Sequence, residues 1–167
     1  VSERNGTVTV TVTNPLTRVY GSLALTKVVN GLGGVNGSGT TFTGTWSCTY
    51  GNSAPVTGTW SRTGAGAATL TGPSTQILIG SVCTATETGR SPERPSATDP
   101  SYVWGAETIT GPVTITRADP NGRITVTNPV RRITGSFSVG KTVRGGSAGT
   151  AFVDGNFTFT WSCTDPG

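Results

Sequence analysis

A strict alternation of side chains over residues 21–29 sets the class of fold that this chain can adopt. Side chains two residues apart in a β-strand share a face, so four side chains of this segment point the same way: Leu23, Leu25, Lys27 and Val29. All but the lysine are apolar, so this face is predicted to turn toward a core. The same pattern, again with a lysine in third place, returns later in the chain: Phe137, Val139, Lys141 and Val143.

Lysine is confined to these two positions. The chain has 12 lysines and arginines together, and the other ten (12 − 2) are arginines. A surface lysine needs no fixed place in an alternating pattern, whereas Lys27 and Lys141 both occupy the inward face of equivalent strands. Their placement therefore calls for a chemical explanation.

The chain repeats itself at an interval of about 114 residues, measured as 141 − 27 between the lysines and 128 − 14 between two V-T-N endings, with 163 − 48 = 115 between two cysteines. A period of this length indicates a tandem array of whole domains. Three parts are expected: the last strand (6–14) of a preceding module plus a short linker in residues 1–20, a complete module in residues 21–130, and a linker with the first strands of a following module in residues 131–167. Neighbouring modules of a longer chain or filament are expected to complete the two partial ones.

The complete module is predicted to be an all-β sandwich of the immunoglobulin-like or prealbumin-like type. Its Thr-rich alternating segments are separated by turns rich in Gly, Pro and Asn, and no segment has the helical period. A sandwich fits the strands expected near residues 21–29, 41–50, 55–62, 67–71, 77–88, 107–117 and 122–129. The polar, Pro-rich segment 88–101 is expected to be an exposed connection, with a ligand-binding loop as the alternative.

Three polar residues are predicted to face inward together: Lys27 on the first strand, Glu87 on a late strand and Asn128 on the last. An isolated buried charge costs several kcal/mol, so burial should pair or neutralise these groups. One interpretation is a buried Lys27–Glu87 ion pair capped by the Asn128 amide. The other is covalent: burial favours a neutral amine beside a protonated acid, and the amine attacks the Asn128 carboxamide while Glu87 shuttles protons. Spacing alone does not choose between the two.

The ordered motifs L-T-K, T-E-T and V-T-N resemble those of collagen-adhesin B-type (CnaB-like) domains of Gram-positive surface proteins and pili. The sequences F-T-x-T-W-S-C and C-T-x-T-E-T are similar to a Thr-rich actinobacterial version of these repeats. The resemblance implies a spontaneous isopeptide bond between Lys27 and Asn128, with Glu87 as proton shuttle and aromatic residues such as Phe42 or Trp46 nearby. It makes Asn14 and Lys141 half-pairs, whose partners belong to neighbouring repeats. The Pro-rich segment after Glu87 departs from the shorter turn that is usual in the family.

Cys48 and Cys83 are both predicted to face inward, and we expect a disulfide between them. It would close a loop of 83 − 48 = 35 residues, which the chain-entropy estimate values at roughly 3–4 kcal/mol. Cys163 occupies the position of Cys48 in the next repeat, so its partner is expected beyond this sequence. This use of cysteine favours an oxidising compartment.

The sequence favours a mechanical function over catalysis. It contains no histidine, no Ser/His/Asp set and no phosphate loop, so we expect no turnover enzyme, no cofactor and no metal site, only a single-turnover self-crosslink. The arginines that dominate the net charge of +4 are dispersed, which argues against nucleic-acid binding, and no segment resembles a membrane span. We expect an extracellular stalk module of a wall-anchored adhesin or surface filament, whose partners are the neighbouring repeats, with any host ligand bound by other domains. The alternatives are a ligand-binding sandwich that uses segment 88–101 and Trp104, and a sortase-assembled pilin subunit.

Overall fold

The computed structural model of the protein describes residues 9–142 and 156–164. In these residues it contains strands but no helix, and hence no helix long and apolar enough to span a membrane. The strands, in chain order, are β1 (Tyr20–Asn30), β2 (Thr41–Thr49), β3 (Val56–Thr63), β4 (Gly66–Ala67), β5 (Thr69–Leu70), β6 (Ile77–Leu78), β7 (Val82–Ser91), β8 (Tyr102–Trp104), β9 (Thr108–Ile109), β10 (Val113–Thr114) and β11 (Asn121–Arg132).

The strands form two sheets that pack as a β-sandwich, which confirms the predicted fold class. The first sheet has the order β4-β1-β11-β8, with β6 paired to β1 and β9 to β11. The second has the order β10-β7-β2-β3-β5. The first and last long strands, β1 and β11, are parallel neighbours, with Lys27 opposite Val126 and Val29 opposite Asn128. The chain therefore enters β1 at one end of the sandwich and leaves β11 at the other.

The core lies between the sheets and is built from the alternating residues of the long strands, as the sequence pattern predicts. The first sheet contributes Leu23, Leu25, Ile124 and Val126, and the second contributes Phe42, Trp46, Cys48, Trp60 and Cys83. The two tryptophans on β2 and β3 each lie opposite a glycine across this strand pair, Trp60 opposite Gly44 and Trp46 opposite Gly58. A side chain at either glycine would collide with the indole ring, so these positions require glycine.

Three predicted strands are broken, and the strand expected over 67–71 is divided into β4 and β5 at Ala68. The strand expected over 77–88 is divided into β6 and β7, because Gly80 has a φ of +95° and turns the chain between them. The strand expected over 107–117 is divided into β9 and β10, with Gly111 at a φ of +127° between them. A strand that the sequence did not indicate, β8, pairs with the end of β11.

The two segments that were predicted to be partial modules contain no strands in the described residues. Residues 9–19 are not in a strand, although the sequence predicted one over 6–14. Residues 133–142 and 156–164 are likewise without strands, where the first strands of a following module were expected. A strand needs paired neighbours to be stable, and no described strand pairs with these segments. Residues 1–8, 143–155 and 165–167, which carry the rest of those predictions and Val143, lie outside the described residues.

The segment 88–101 is only partly the exposed loop that was expected. Its first residues, to Ser91, extend β7. Most of the rest is exposed, but Asp99 is buried, with 2% of its surface accessible. The loop ends against the last strand, because the backbone N–H of Ile133 donates to the carbonyl of Ser101 at 2.8 Å. Its C-terminal end is therefore part of the packed module.

Candidate crosslinking site

Lys27, Glu87 and Asn128 meet in the interior of the sandwich. Lys27 and Asn128 lie on the parallel neighbours β1 and β11, where Asn128 is opposite Val29, two residues beyond the lysine and on the same face. Glu87 reaches the same point from β7 in the facing sheet. The accessible fraction is 1% for Lys27, 0% for Asn128 and 4% for the Glu87 side chain. The inward orientation predicted for all three is what the structure has.

The three side chains form a closed triangle of hydrogen bonds. The Lys27 ammonium nitrogen Nζ donates to Oε2 of Glu87 at 2.8 Å and also to Oδ1 of Asn128. The amide nitrogen Nδ2 of Asn128 donates to the other carboxylate oxygen, Oε1, at 2.9 Å. The amide carbonyl thus faces the amine, and the amide NH₂ group faces the carboxylate. Each of the two partners therefore binds a different carboxylate oxygen of Glu87.

The surroundings of Lys27 disfavour its charge. Burial lowers the pKa of its amine below 10.5, and the positive charge of Arg90 acts in the same direction, against the hydrogen bond and charge of Glu87. The amine lies 4.1 Å from the centre of the Phe42 ring. That ring in turn packs edge to face on Trp104, with 5.3 Å between ring centres. Trp46, the other aromatic residue expected here, lies in the same core on β2.

Glu87 connects the site to solvent through an open cavity of about 430 Å³. Arg90, Glu93 and Glu107 also line this cavity. Arg90 places a guanidinium nitrogen 3.8 Å from Oε1 of Glu87. The sequence did not indicate Arg90, because simple alternation puts a residue three positions after Glu87 on the opposite face. The pairing register of β7 shifts at Thr43/Gly44, directly across from Glu87, and this irregularity ends the alternation.

Cys48 and Cys83 form the expected disulfide, with their Cα atoms 4.0 Å apart. They lie opposite each other on β2 and β7, so the bridge ties the strand that carries Glu87 to the centre of its sheet. Cys163 is an exposed free thiol within the described residues. That its partner belongs to a following repeat stays a prediction.

The two half-pair residues have different settings. Asn14 is exposed on the segment before β1. Lys141 Nζ lies 4.9 Å from the centre of the Phe157 ring, and the two positions correspond to Lys27 and Phe42 in the repeat. Phe137 packs edge to face on Trp161 at 5.2 Å in the same segment. The lysine–aromatic contact therefore occurs twice, while the pairing of Asn14 and Lys141 with neighbouring repeats stays a prediction.

Trp104 is not an exposed contact residue of the kind that a ligand-binding surface would use. It is half-buried on β8 and packs on Phe42, which itself contacts Lys27. Within the described residues no group of His, Cys, Asp and Glu side chains has the arrangement of a metal site.

Comparison with known proteins identifies one family. The family model described as "Domain of unknown function (DUF5979)" matches residues 23–131 and, separately, residues 137–167. The first match contains Lys27, Glu87 and Asn128, and the second contains Lys141 and Cys163. No curated protein and no solved structure matches the chain.

Proposed function

The chain belongs to the DUF5979 family, whose function is unknown, and we propose that residues 21–130 are a stalk module of a bacterial cell-surface adhesin or fibre. An isopeptide bond that forms spontaneously between Lys27 and Asn128 locks the module. The observation that carries the proposal is the buried triangle, in which the amine faces the amide carbonyl and Glu87 contacts both the amine and the amide NH₂ group.

The reaction balances without any co-reactant. The neutral Lys27 amine attacks Cγ of Asn128, a new N–C bond forms, and the Cγ–Nδ2 bond breaks. Oε2 of Glu87 is placed to accept the proton that the amine loses, since it lies 2.8 Å from Nζ. Oε1 is placed to pass a proton to Nδ2 at 2.9 Å, so that the nitrogen leaves as ammonia. Glu87 ends in the state in which it began, and the module reacts once.

Burial supports the covalent interpretation over a permanent ion pair. A buried ion pair is a weak source of stability, because the desolvation of both groups offsets their attraction. The lowered pKa of Lys27 raises the fraction of neutral amine, which is the nucleophile. The cavity beside Glu87 gives the released ammonia a route to solvent.

The strand order supports a mechanical role. Tension applied at Tyr20 and Arg132 pulls the parallel neighbours β1 and β11 in opposite directions along their length. A bond from Lys27 to Asn128 carries this load from one strand to the other, and the 100 residues between them (28–127) stay outside the path of the force. The Cys48–Cys83 disulfide is typical of proteins outside the cytoplasm, which supports an extracellular, wall-anchored or filament location. The two separate family matches support neighbouring repeats as partners.

Intact-mass measurement of the purified chain tests the proposal. With the disulfide reduced, the wild type is expected to weigh about 17 Da less than its sequence mass, because one ammonia is lost. Lys27→Ala and Glu87→Ala are expected to have the full mass, while Glu93→Gln, which changes a carboxylate of the same cavity outside the triangle, keeps the loss. Full mass in the wild type, purified without denaturant, would refute the crosslink and leave the buried ion pair.

A further inference from the structure

A single residue separates the last strand of the module from the position where a following first strand would begin. β11 ends at Arg132, and β1 begins at Tyr20. With the repeat interval of 141 − 27 = 114, the counterpart of Tyr20 is Thr134, because 134 − 20 is also 114. Only Ile133 lies between, and its counterpart before β1 is Val19. The same joint position therefore occurs twice in this chain: Ile133 follows the last strand of the module, and Val19 precedes its first strand.

At the C-terminal end of the module, Ile133 is bound through its N–H group. β8 pairs antiparallel with the end of β11, with Arg132 opposite Tyr102, and one residue further the Ile133 N–H donates to the Ser101 carbonyl at 2.8 Å. The backbone N–H of Ser101 is directed elsewhere, to Oδ1 of Asp99 at 2.8 Å. Ser101 thus does not bind the Ile133 carbonyl as it would in a regular antiparallel pair.

Asp99 holds Ser101 in this position. Its Oδ1 also accepts the Ser101 hydroxyl at 2.6 Å, and Oδ2 lies 3.7 Å from the Arg132 guanidinium. Arg132 in turn lies over the Tyr102 ring, 5.3 Å from its centre. The end of the loop is therefore fixed to the strand that it binds.

At the N-terminal end of the module, the counterpart residue is bound through its carbonyl. The Val19 carbonyl accepts from the Ile79 N–H at 3.2 Å. The pairing continues with Tyr20 opposite Leu78 and Gly21 opposite Ile77, antiparallel as on the other side. Both residues at this position are apolar and exposed, with 44% of the Val19 surface and 58% of the Ile133 surface accessible. A position flanked by two modules would be covered.

We infer that two consecutive modules share this residue: its N–H binds the Ser101 carbonyl of the module before, and its carbonyl binds the Ile79 N–H of the module after. The N–H and C=O of one residue in an extended strand point to the same side. Residues 101–104 of one module and 77–79 of the next then line the same edge of one unbroken strand. The partner that each module end fits is a second copy of the module, joined rigidly. The inference rests on the tandem arrangement in the proposed function but not on the crosslink.

A two-module protein tests the inference. All described strands lie within residues 20–132, so residues 20–133 joined to a second copy of residues 20–133 reproduce the joint. NMR residual dipolar couplings of this protein give an alignment tensor for each module. We expect the two tensors to agree. A matched variant with Gly-Ser-Gly inserted after Ile133 keeps both modules and is expected to give two different tensors.

Different tensors in the uninterrupted protein, as large as those of the insertion variant, would refute the rigid joint. A second measurement is amide hydrogen exchange at Ile79 of the second copy, which is expected to be slower than in the insertion variant, and equal exchange would also count against the joint. The intact mass of the same samples reports the crosslink separately, because two bonds remove about 34 Da. Failure of the joint and failure of the crosslink are therefore distinguishable.

Discussion

The length that the module releases under tension follows directly from the position of the proposed bond. Tyr20 and Arg132 are separated by 132 − 20 = 112 residue steps, or about 400 Å when fully extended. Because the disulfide closes a loop of 35 steps, those steps cannot extend. The remaining 77 steps span about 280 Å when extended. The folded module already spans about 40 Å between the same residues, since β11 is 12 residues long. An unlocked module therefore lengthens by about 240 Å, or about 360 Å once the disulfide is reduced.

A module with the bond formed has almost nothing to release. Force passes through the 7 steps from Tyr20 to Lys27, the two side chains, and the 4 steps from Asn128 to Arg132. These 11 steps extend to about 40 Å, which is already the folded length. Single-molecule force spectroscopy of the module between two marker domains measures the difference. We expect no lengthening step for wild type and for Glu93→Gln, and a step of about 240 Å for Glu87→Ala.

A step of about 240 Å in wild type, at the force that unfolds Glu87→Ala, would refute the proposed path of the load. A step of about 360 Å without reductant would show instead that the disulfide is open. The two bonds therefore have separate signatures in one experiment.

The structure supports three other predictions. Replacement of Cys48 and Cys83 by alanine in the Lys27→Ala background should lower the free energy of unfolding by roughly 3–4 kcal/mol, measured by urea denaturation against the Lys27→Ala parent; an unchanged midpoint would contradict the estimate. The Asn128→Ala module keeps Lys27 without a crosslink, and burial lowers the pKa of this lysine in the folded state. Between that lowered pKa and 10.5 the unfolded chain binds more protons than the folded one, so the free energy of unfolding should rise with pH over this range. The crosslinked wild type should lack this rise in urea titrations over the same range. The pKa of Asp99 lies below 3.8 because Ser101 and Arg132 stabilise its charge, so the hydrogen bonds from Ser101 to Asp99 should be present above pH 3.8 and lost as the pH falls through the lowered pKa. The Ile133 amide signal in NMR spectra should shift in that pH range. An unchanged signal would argue against the role of Asp99 in holding Ser101.

Residues that follow strict alternation were the ones whose positions could be predicted. Lys27 and Asn128 keep the parity of uninterrupted long strands, so their shared face was readable from the sequence, and Glu87 precedes the irregularity in β7. Arg90 lies beyond that irregularity, and its approach to Glu87 depends on a register shift set by the neighbouring strand. Local sequence does not encode such a shift, because the partner strand is far away along the chain.

Short elements were missed for a related reason. β8 has three residues, too few to show a period, and it exists because the end of β11 pairs with it. Burial of Asp99 was equally unreadable, since a carboxylate in a polar, Pro-rich segment is normally exposed. Its burial depends on Ser101 and Arg132, which tertiary structure brings together.

The pairing of the first long strand with the last also fixes when the module can close. A ribosome delivers the chain from its N-terminus, so Lys27 emerges long before Asn128, which follows 101 residues later. Until β11 arrives, β1 lacks its parallel neighbour and the amine has no carboxamide to attack. The crosslink that we propose therefore cannot form before the final strand has been made, and the chain stays open until then.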